Sequence, residues 1–142
     1  MKIYADSSFL VSLYSADSNR AAAIRTMQAS TGECFVTSLG ELEIVNVFAL
    51  RVFRKEVSAA QARESATDFE RDLRDGVFQL RCLEEPFFER ARQLSRQVTA
   101  KLGTRTADLL HVAVALELGA DFLYSFDQQQ RGLAQTLRLK LN

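Results

Sequence analysis

Apolar positions along this chain alternate between short continuous runs and stretches with helical spacing. Lys2-Ile3-Tyr4-Ala5 reads as a buried strand, after which Ser7 and Ser8 start a helix through Phe9 to about Leu13. A second helix is predicted from about Asn19 to Ala29, closed by Gly32. Cys34-Phe35-Val36-Thr37 reads as the next strand, followed by a long helix from about Leu39 to Arg54. Leu42, Val45, Ala49 and Val52 mark one apolar face of that helix and Ile44, Val47 and Phe48 a second, which predicts packing on two sides.

Ser58 is placed to cap a helix carrying Ala62, Ala66, Phe69 and Leu73, and Gly76 ends it. Val77 to Leu83 reads as a strand. Pro86, the only proline, suits the first turn of a helix bearing Phe87, Ala91, Leu94 and Val98, with Gly103 beyond its end. Thr106 is expected to cap a helix from Ala107 to Leu118, stopped by Gly119. Phe122 to Phe126 then reads as a strand, Gln128 to about Thr136 as a short helix, and Leu137 to Leu141 as an edge strand. Strands alternating with helices predict an α/β fold, a three-layer α/β/α sandwich with a mainly parallel central sheet. No repeat, linker or low-complexity segment divides it, so residues 1–142 are read as one domain.

Composition narrows the function classes. At 142 residues and 16.0 kDa the chain can bury one real core. No apolar stretch approaches the ~20 residues that cross a bilayer, and no signal-peptide pattern opens the chain, so a soluble cytoplasmic protein without a membrane partner is expected. Cys34 and Cys82 lie in separate predicted strands and are read as reduced core cysteines. With two distant cysteines and one histidine, a structural zinc site is excluded, and any metal must be a hard one bound through oxygen. Formal net charge is zero, so a polyanionic substrate would be held by local patches such as Arg51, Arg54 and Lys55 rather than by a protein-wide field.

Four acids change the picture through their position. Asp6 and Asp127 follow strands, Asp108 opens a helix, and Glu43 interrupts an apolar helix on a face shared with Asn46 and Arg54. In open α/β sheets ligands bind outside the carboxyl ends of the strands, which should bring Asp6, Asp127 and the start of the Asp108 helix to one rim. Carboxylates gathered there repel one another and lose hydration, a conflict that a cation such as Mg²⁺ or Mn²⁺ resolves. The helix dipole favours an ionised Asp108 in the first turn. Asp121 precedes its strand and is expected at the opposite rim, while Asp17, in the polar turn Ser15 to Arg20, is read as solvated. The lone His111, on a largely apolar helix, is read as a packed core residue outside the active site.

These segments resemble the PIN domain, and within it the VapC-like ribonuclease toxins of toxin–antitoxin systems. The resemblance spans nearly the whole chain. It rests on the strand running into Asp6-Ser7-Ser8, on Glu41-Leu42-Glu43-Ile44-Val45-Asn46, on Arg105-Thr106-Ala107-Asp108-Leu109-Leu110-His111-Val112-Ala113, and on Leu118-Gly119-Ala120-Asp121-Phe122-Leu123-Tyr124-Ser125-Phe126-Asp127. It implies catalytic, metal-binding roles for Asp6, Glu43, Asp108 and Asp127. Glu43 is preferred to Glu41 because the family places an acid three residues before an asparagine, here Asn46; Glu41 would point about 200° around the helix. Ser8 and Ser125 match positions where a hydroxyl can orient a carboxylate or a metal-bound water. Arg105 is a candidate to contact phosphate or offset the local acidic charge.

The resemblance further implies a Mg²⁺- or Mn²⁺-dependent endoribonuclease, a cognate antitoxin as protein partner, and a homodimer. The competing reading from another class is a non-catalytic PIN-like module that binds RNA or protein. A phosphoacceptor receiver domain is disfavoured because Lys2, Lys55, Lys101 and Lys140 are all misplaced for its lysine. An aspartate-nucleophile phosphatase would want a second Asp where Ser8 stands.

Overall fold

The central strand of the sheet is the first one in the chain. In the computed structural model, which describes residues 1–142, β1 (Lys2–Ala5) pairs in parallel with β2 (Glu33–Thr37) on one side and β4 (Phe122–Tyr124) on the other. β3 (Gln79–Arg81) and β5 (Lys140–Leu141) form the edges, giving an all-parallel order β3-β2-β1-β4-β5. The chain winds outward from β1 to β3, then returns to β4 beside β1. The connections therefore diverge between β1 and β4, and a crevice opens at the carboxyl ends of those two strands.

Strand alternation distributes the core to two faces. Ile3 and Ala5 join a cluster with Phe9 and Leu10 of α1 (Ser7–Tyr14), Ala23 of α2 (Arg20–Ala29), Ile44 and Phe48 of α3 (Ser38–Phe53), and Phe69 of α4 (Ala59–Arg74). Tyr4 faces the other way. It joins Leu94 at the end of α5 (Glu85–Leu94), Leu109 to Ala115 of α7 (Thr106–Glu117), and Leu133 of α8 (Gln128–Thr136). Between α5 and α7 the helix widens into a π-helical turn, Ser95–Thr99, and closes with α6 (Ala100–Leu102) before Gly103 reverses the chain at φ +62°. The three layers expected from the alternation of elements are present.

Several local expectations need correction. The strand read over Val77 to Leu83 is only three residues long and its side chains are exposed, as befits an edge, so Cys82 falls outside it and is exposed rather than part of the core. Cys34 alone is buried, and burial pushes its thiol up to about 12, which makes it inert at neutral pH. The final strand shortens to Lys140–Leu141 because the N–H groups of Leu137, Arg138 and Leu139 bond back to carbonyls at the end of α8 and Arg138 turns the chain at φ +61°. Thr106 is the first residue of α7 rather than its cap. Long helix α3 buries only one of its two predicted faces: Ile44 and Phe48 meet α4 and the sheet, while Leu42 is 66% and Phe53 82% exposed. The Leu42 side is left uncovered.

Candidate metal centre

Two of the four singled-out acids are helix caps. Asp6 Oδ1 accepts from the Phe9 backbone N–H at 2.9 Å and thereby starts α1, and Asp127 Oδ1 accepts from Gln130 N–H at 2.9 Å and starts α8. A strand that ends directly in a capping aspartate leaves the carboxylate at the sheet rim with one oxygen committed to its helix. The other oxygen of Asp127 accepts from Arg105, and that of Asp6, Oδ2, is buried and left without a partner.

Ser8 ties the two caps together. Its hydroxyl donates to Asp6 Oδ1 at 2.7 Å and accepts from the Phe126 and Asp127 backbone N–H groups at 2.9 and 3.2 Å. Ser125, fully buried, accepts from Asp127 N–H at 3.1 Å. These hydroxyls hold the β1–α1 and β4–α8 junctions in register.

Asp108 lies buried in the first turn of α7. Arg105, one turn before it, donates to Asp108 through Nε at 2.8 Å and Nη2 at 3.2 Å, and to Asp127 Oδ2 at 3.0 Å. The guanidinium spans both carboxylates. Of the two roles expected for Arg105, phosphate contact and charge compensation, the geometry displays the second.

Glu43 enters from α3 and its Oε2 sits 2.6 Å from His111 Nε2. His111 is buried, as expected, and it also lines the acidic cavity. The apolar residues around it concealed that its two ring nitrogens serve polar partners. Glu41 faces elsewhere, toward Leu73, Phe78 and Leu80. Asn46 and Arg54 do not line the cavity. Arg54 shares Glu43's face but stands roughly 16 Å further along the helix axis at 1.5 Å per residue, and Asn46 is rotated about 60° from it.

The cavity so formed, about 210 Å³, is bounded by Asp6, Ser7, Ser8, Glu43, Arg105, Ala107, Asp108, His111, Asp127 and Gln130. Gln130 is an unexpected member of this lining. It is buried, its Nε2 has no hydrogen-bond partner, and its position three residues after a capping aspartate is the only sequence signal it carries. An open groove of about 360 Å³ adjoins the cavity, sharing Ser7, Ser8 and Asp127 and reaching Asp17 and Arg51. Asp17 is only partly exposed. It accepts from Ser12 Oγ at 2.9 Å and Asn19 N–H at 2.8 Å, and it pairs with Arg51 at 3.5 Å. Asp121 stays at the opposite rim, accepting from the Lys2 backbone N–H at 2.8 Å.

Electrostatics separate the acids. Burial raises the Asp6 carboxyl above its ordinary range, against the opposing pull of the nearby Ser125 hydroxyl and of hydrogen bonds from Phe9 and Ser8. Burial also acts to raise Glu43, but the hydrogen bond with His111, helped by Ser7 and Arg105, holds its carboxyl below the usual range. A raised and a lowered carboxyl facing one cavity is an arrangement found at functional sites. The donor set, all carboxylate with an unpartnered buried oxygen on Asp6, suits a hard divalent cation. The acids are not preassembled, since no three of the potential ligands already converge on one metal-sized point. Arg105 holds Asp108 and Asp127 against itself.

An open parallel sheet with acids at its switch point defines a class of α/β proteins that bind ligands at the strand ends. A family model for the PIN domain matches residues 3–135, and the chain belongs to the PIN domain family. Among solved structures it is similar to the Mycobacterium tuberculosis toxin VapC20, described as cleaving the sarcin–ricin loop, at 18% identity and a TM-score of 0.70 over 92% of this chain and 93% of that one. It is also similar to PAE2754 from Pyrobaculum aerophilum, at 19% identity and a TM-score of 0.62 over 98% and 95% of the two chains. No curated protein matches the sequence. No helix is long and apolar enough to cross a membrane.

Proposed function

We propose that this protein is a Mg²⁺- or Mn²⁺-dependent endoribonuclease, the toxin of a toxin–antitoxin pair. The observation that carries this reading is the meeting of Asp6, Glu43, Asp108 and Asp127 in one cavity at the sheet's switch point, with Asp6 Oδ2 buried and unpartnered. Asp6 and Asp108 would hold the principal cation, and Asp127 and Glu43 complete the site directly or through water. A divalent cation bound there lowers the pKa of its water and offsets charge on the phosphate during in-line hydrolysis. Ser8 keeps Asp6 and Asp127 at their spacing. The groove toward Arg51 gives single-stranded RNA a path past the acids.

Membership of the PIN family and the likeness to VapC20 support this reading over a non-catalytic binding module. The same likeness to a toxin supports a cognate antitoxin as partner, and the proposed assembly is a homodimer. The exposed apolar side chains of α3 would give such a partner surface to cover.

The test is cleavage of a total-RNA pool by purified protein in Mg²⁺, Mn²⁺ and EDTA, beside Asp6→Asn and Asp108→Asn variants checked for folding by circular dichroism. Metal-dependent cleavage that falls by roughly 100-fold or more in both folded variants is expected. Equal behaviour of wild type and variants would move the binding-module reading ahead.

A further inference from the structure

Behind Glu43 a line of hydrogen bonds runs through the core and connects four elements. The Gly40 backbone N–H donates to Thr37 Oγ1 at 3.2 Å, Thr37 Oγ1 lies 3.1 Å from Tyr4 Oη, and Tyr4 Oη lies 2.7 Å from His111 Nδ1. His111 Nε2 then meets Glu43 Oε2 at 2.6 Å. Thr37 and Tyr4 are fully buried and His111 is 2% exposed, so these groups have only one another as partners.

The sense of the line follows from counting protons. Thr37 Oγ1 accepts from Gly40, and its single proton has one place to go, Tyr4 Oη. Tyr4 spends its own proton on His111 Nδ1. Burial raises the Tyr4 phenol far above its ordinary range, which keeps that donor in place. A ring whose Nδ1 accepts must carry its proton on Nε2, and Nε2 is the nitrogen aimed at Glu43. Each buried hydroxyl is thus satisfied only if His111 is the Nε2–H tautomer.

We propose that His111 is a positioning residue for Glu43, locked by Tyr4 and Thr37 as an Nε2–H donor that clamps Glu43 Oε2 and leaves Oε1 directed to the acidic cavity. The assignment rests on the reading of Glu43 as a site acid. It gives Tyr4, a β1 core residue, a part in the site, and it explains why a polar line is retained between two apolar clusters. Outer partners of ligating groups typically govern affinity by 10–100-fold, because they fix the ligand's orientation before it binds.

His111 is the only histidine in the chain, so its ring nitrogens can be read without assignment. A long-range ¹H–¹⁵N correlation spectrum of the metal-free protein at pH 8 is expected to show a proton on Nε2 and a bare Nδ1. A proton on Nδ1, whether or not Nε2 also carries one, overturns the proposal. In Tyr4→Phe the two tautomers should mix; a spectrum unchanged from wild type removes Tyr4 from the line.

Mn²⁺ binding by titration calorimetry provides the second readout. His111→Leu should weaken it by about 10–100-fold, and His111→Gln, which can still present an N–H toward Glu43, should recover most of the loss. Wild-type affinity in His111→Leu, with Glu43→Gln impaired, overturns the relay alone. Wild-type affinity in Glu43→Gln overturns the reading of Glu43 as a site acid and the relay's function with it.

Discussion

Asp6 and Glu43 show how one cavity treats two carboxyls differently. Asp6 is buried at the end of the central strand, and desolvation favours its protonated form in the folded state, whereas His111 favours ionised Glu43. The signs of the linked stability are opposite. With its folded value raised, Asp6 costs stability while ionised, and that cost is relieved as the pH falls through the raised value. With its folded value depressed, Glu43 contributes stability above the ordinary glutamate range and loses it only as the pH falls through the lower folded value. The metal-free protein should therefore gain stability on mild acidification before losing it in stronger acid. Asp6→Asn keeps an acceptor for the α1 cap and removes the buried charge. Its melting temperature at neutral pH is expected to exceed wild type by a few degrees, with the mild-acid gain abolished. Differential scanning calorimetry in EDTA from pH 4 to 8 checks both, and a lower melting temperature in the variant would show that Asp6 is not a strained charge.

Elements place these residues through their ends. Asp6 and Asp127 follow a strand and Thr37 ends one, and each caps the next helix with an oxygen, so three strand–helix junctions are built alike and all open on the same rim. Stability can be altered at other junctions without touching that rim. Ser58 and Gln61 form a reciprocal capping box at the start of α4, at 3.1 and 2.8 Å. Ser58→Ala should cost about 1 kcal/mol in urea unfolding and leave Mn²⁺ affinity unchanged. At the opposite rim Gly32 passes so close to the first residue that a Cβ would lie 2.1 Å from the Met1 carbonyl oxygen. That carbonyl accepts from Glu33 N–H at 3.0 Å at the start of β2. Gly32→Ala is expected to destabilise the fold by roughly 1–3 kcal/mol through displacement of this backbone. A melting temperature equal to wild type would show that the N-terminus yields freely.

At the scale of the whole molecule, neutrality sets how RNA would be held. Equal numbers of basic and acidic side chains provide no long-range attraction, and Arg51 and Arg105 near the cavity are already paired with Asp17, Asp108 and Asp127. Two or three phosphate contacts to a single strand would yield a log-affinity against log-salt slope of about −1.5 to −2. Fluorescence anisotropy with a labelled single-stranded RNA, using Asp108→Asn if wild type cleaves it, measures that slope. A slope steeper than about −4 would require an extended basic surface that this protein lacks.

The order of elements, the parallel sheet and the acids at its rim could all be read along the chain, because burial imposes its period on neighbouring residues and a capping aspartate must sit next to the strand it follows. What escaped that reading depends on partners far apart in sequence. Whether an apolar helix face is covered, as on the Ile44 side of α3, or bare, as at Leu42 and Phe53, depends on where α4 and the sheet come to rest. Asp17 looked solvated until Arg51 came to it across 34 residues, and Cys82 looked buried until β3 stopped at Arg81. His111 looked like core packing because neither Tyr4, 107 residues away, nor Glu43, 68 away, announces its contact locally. Hydrophobic periodicity is a local property of the chain, whereas the partner of a buried polar atom is decided only when the layers close.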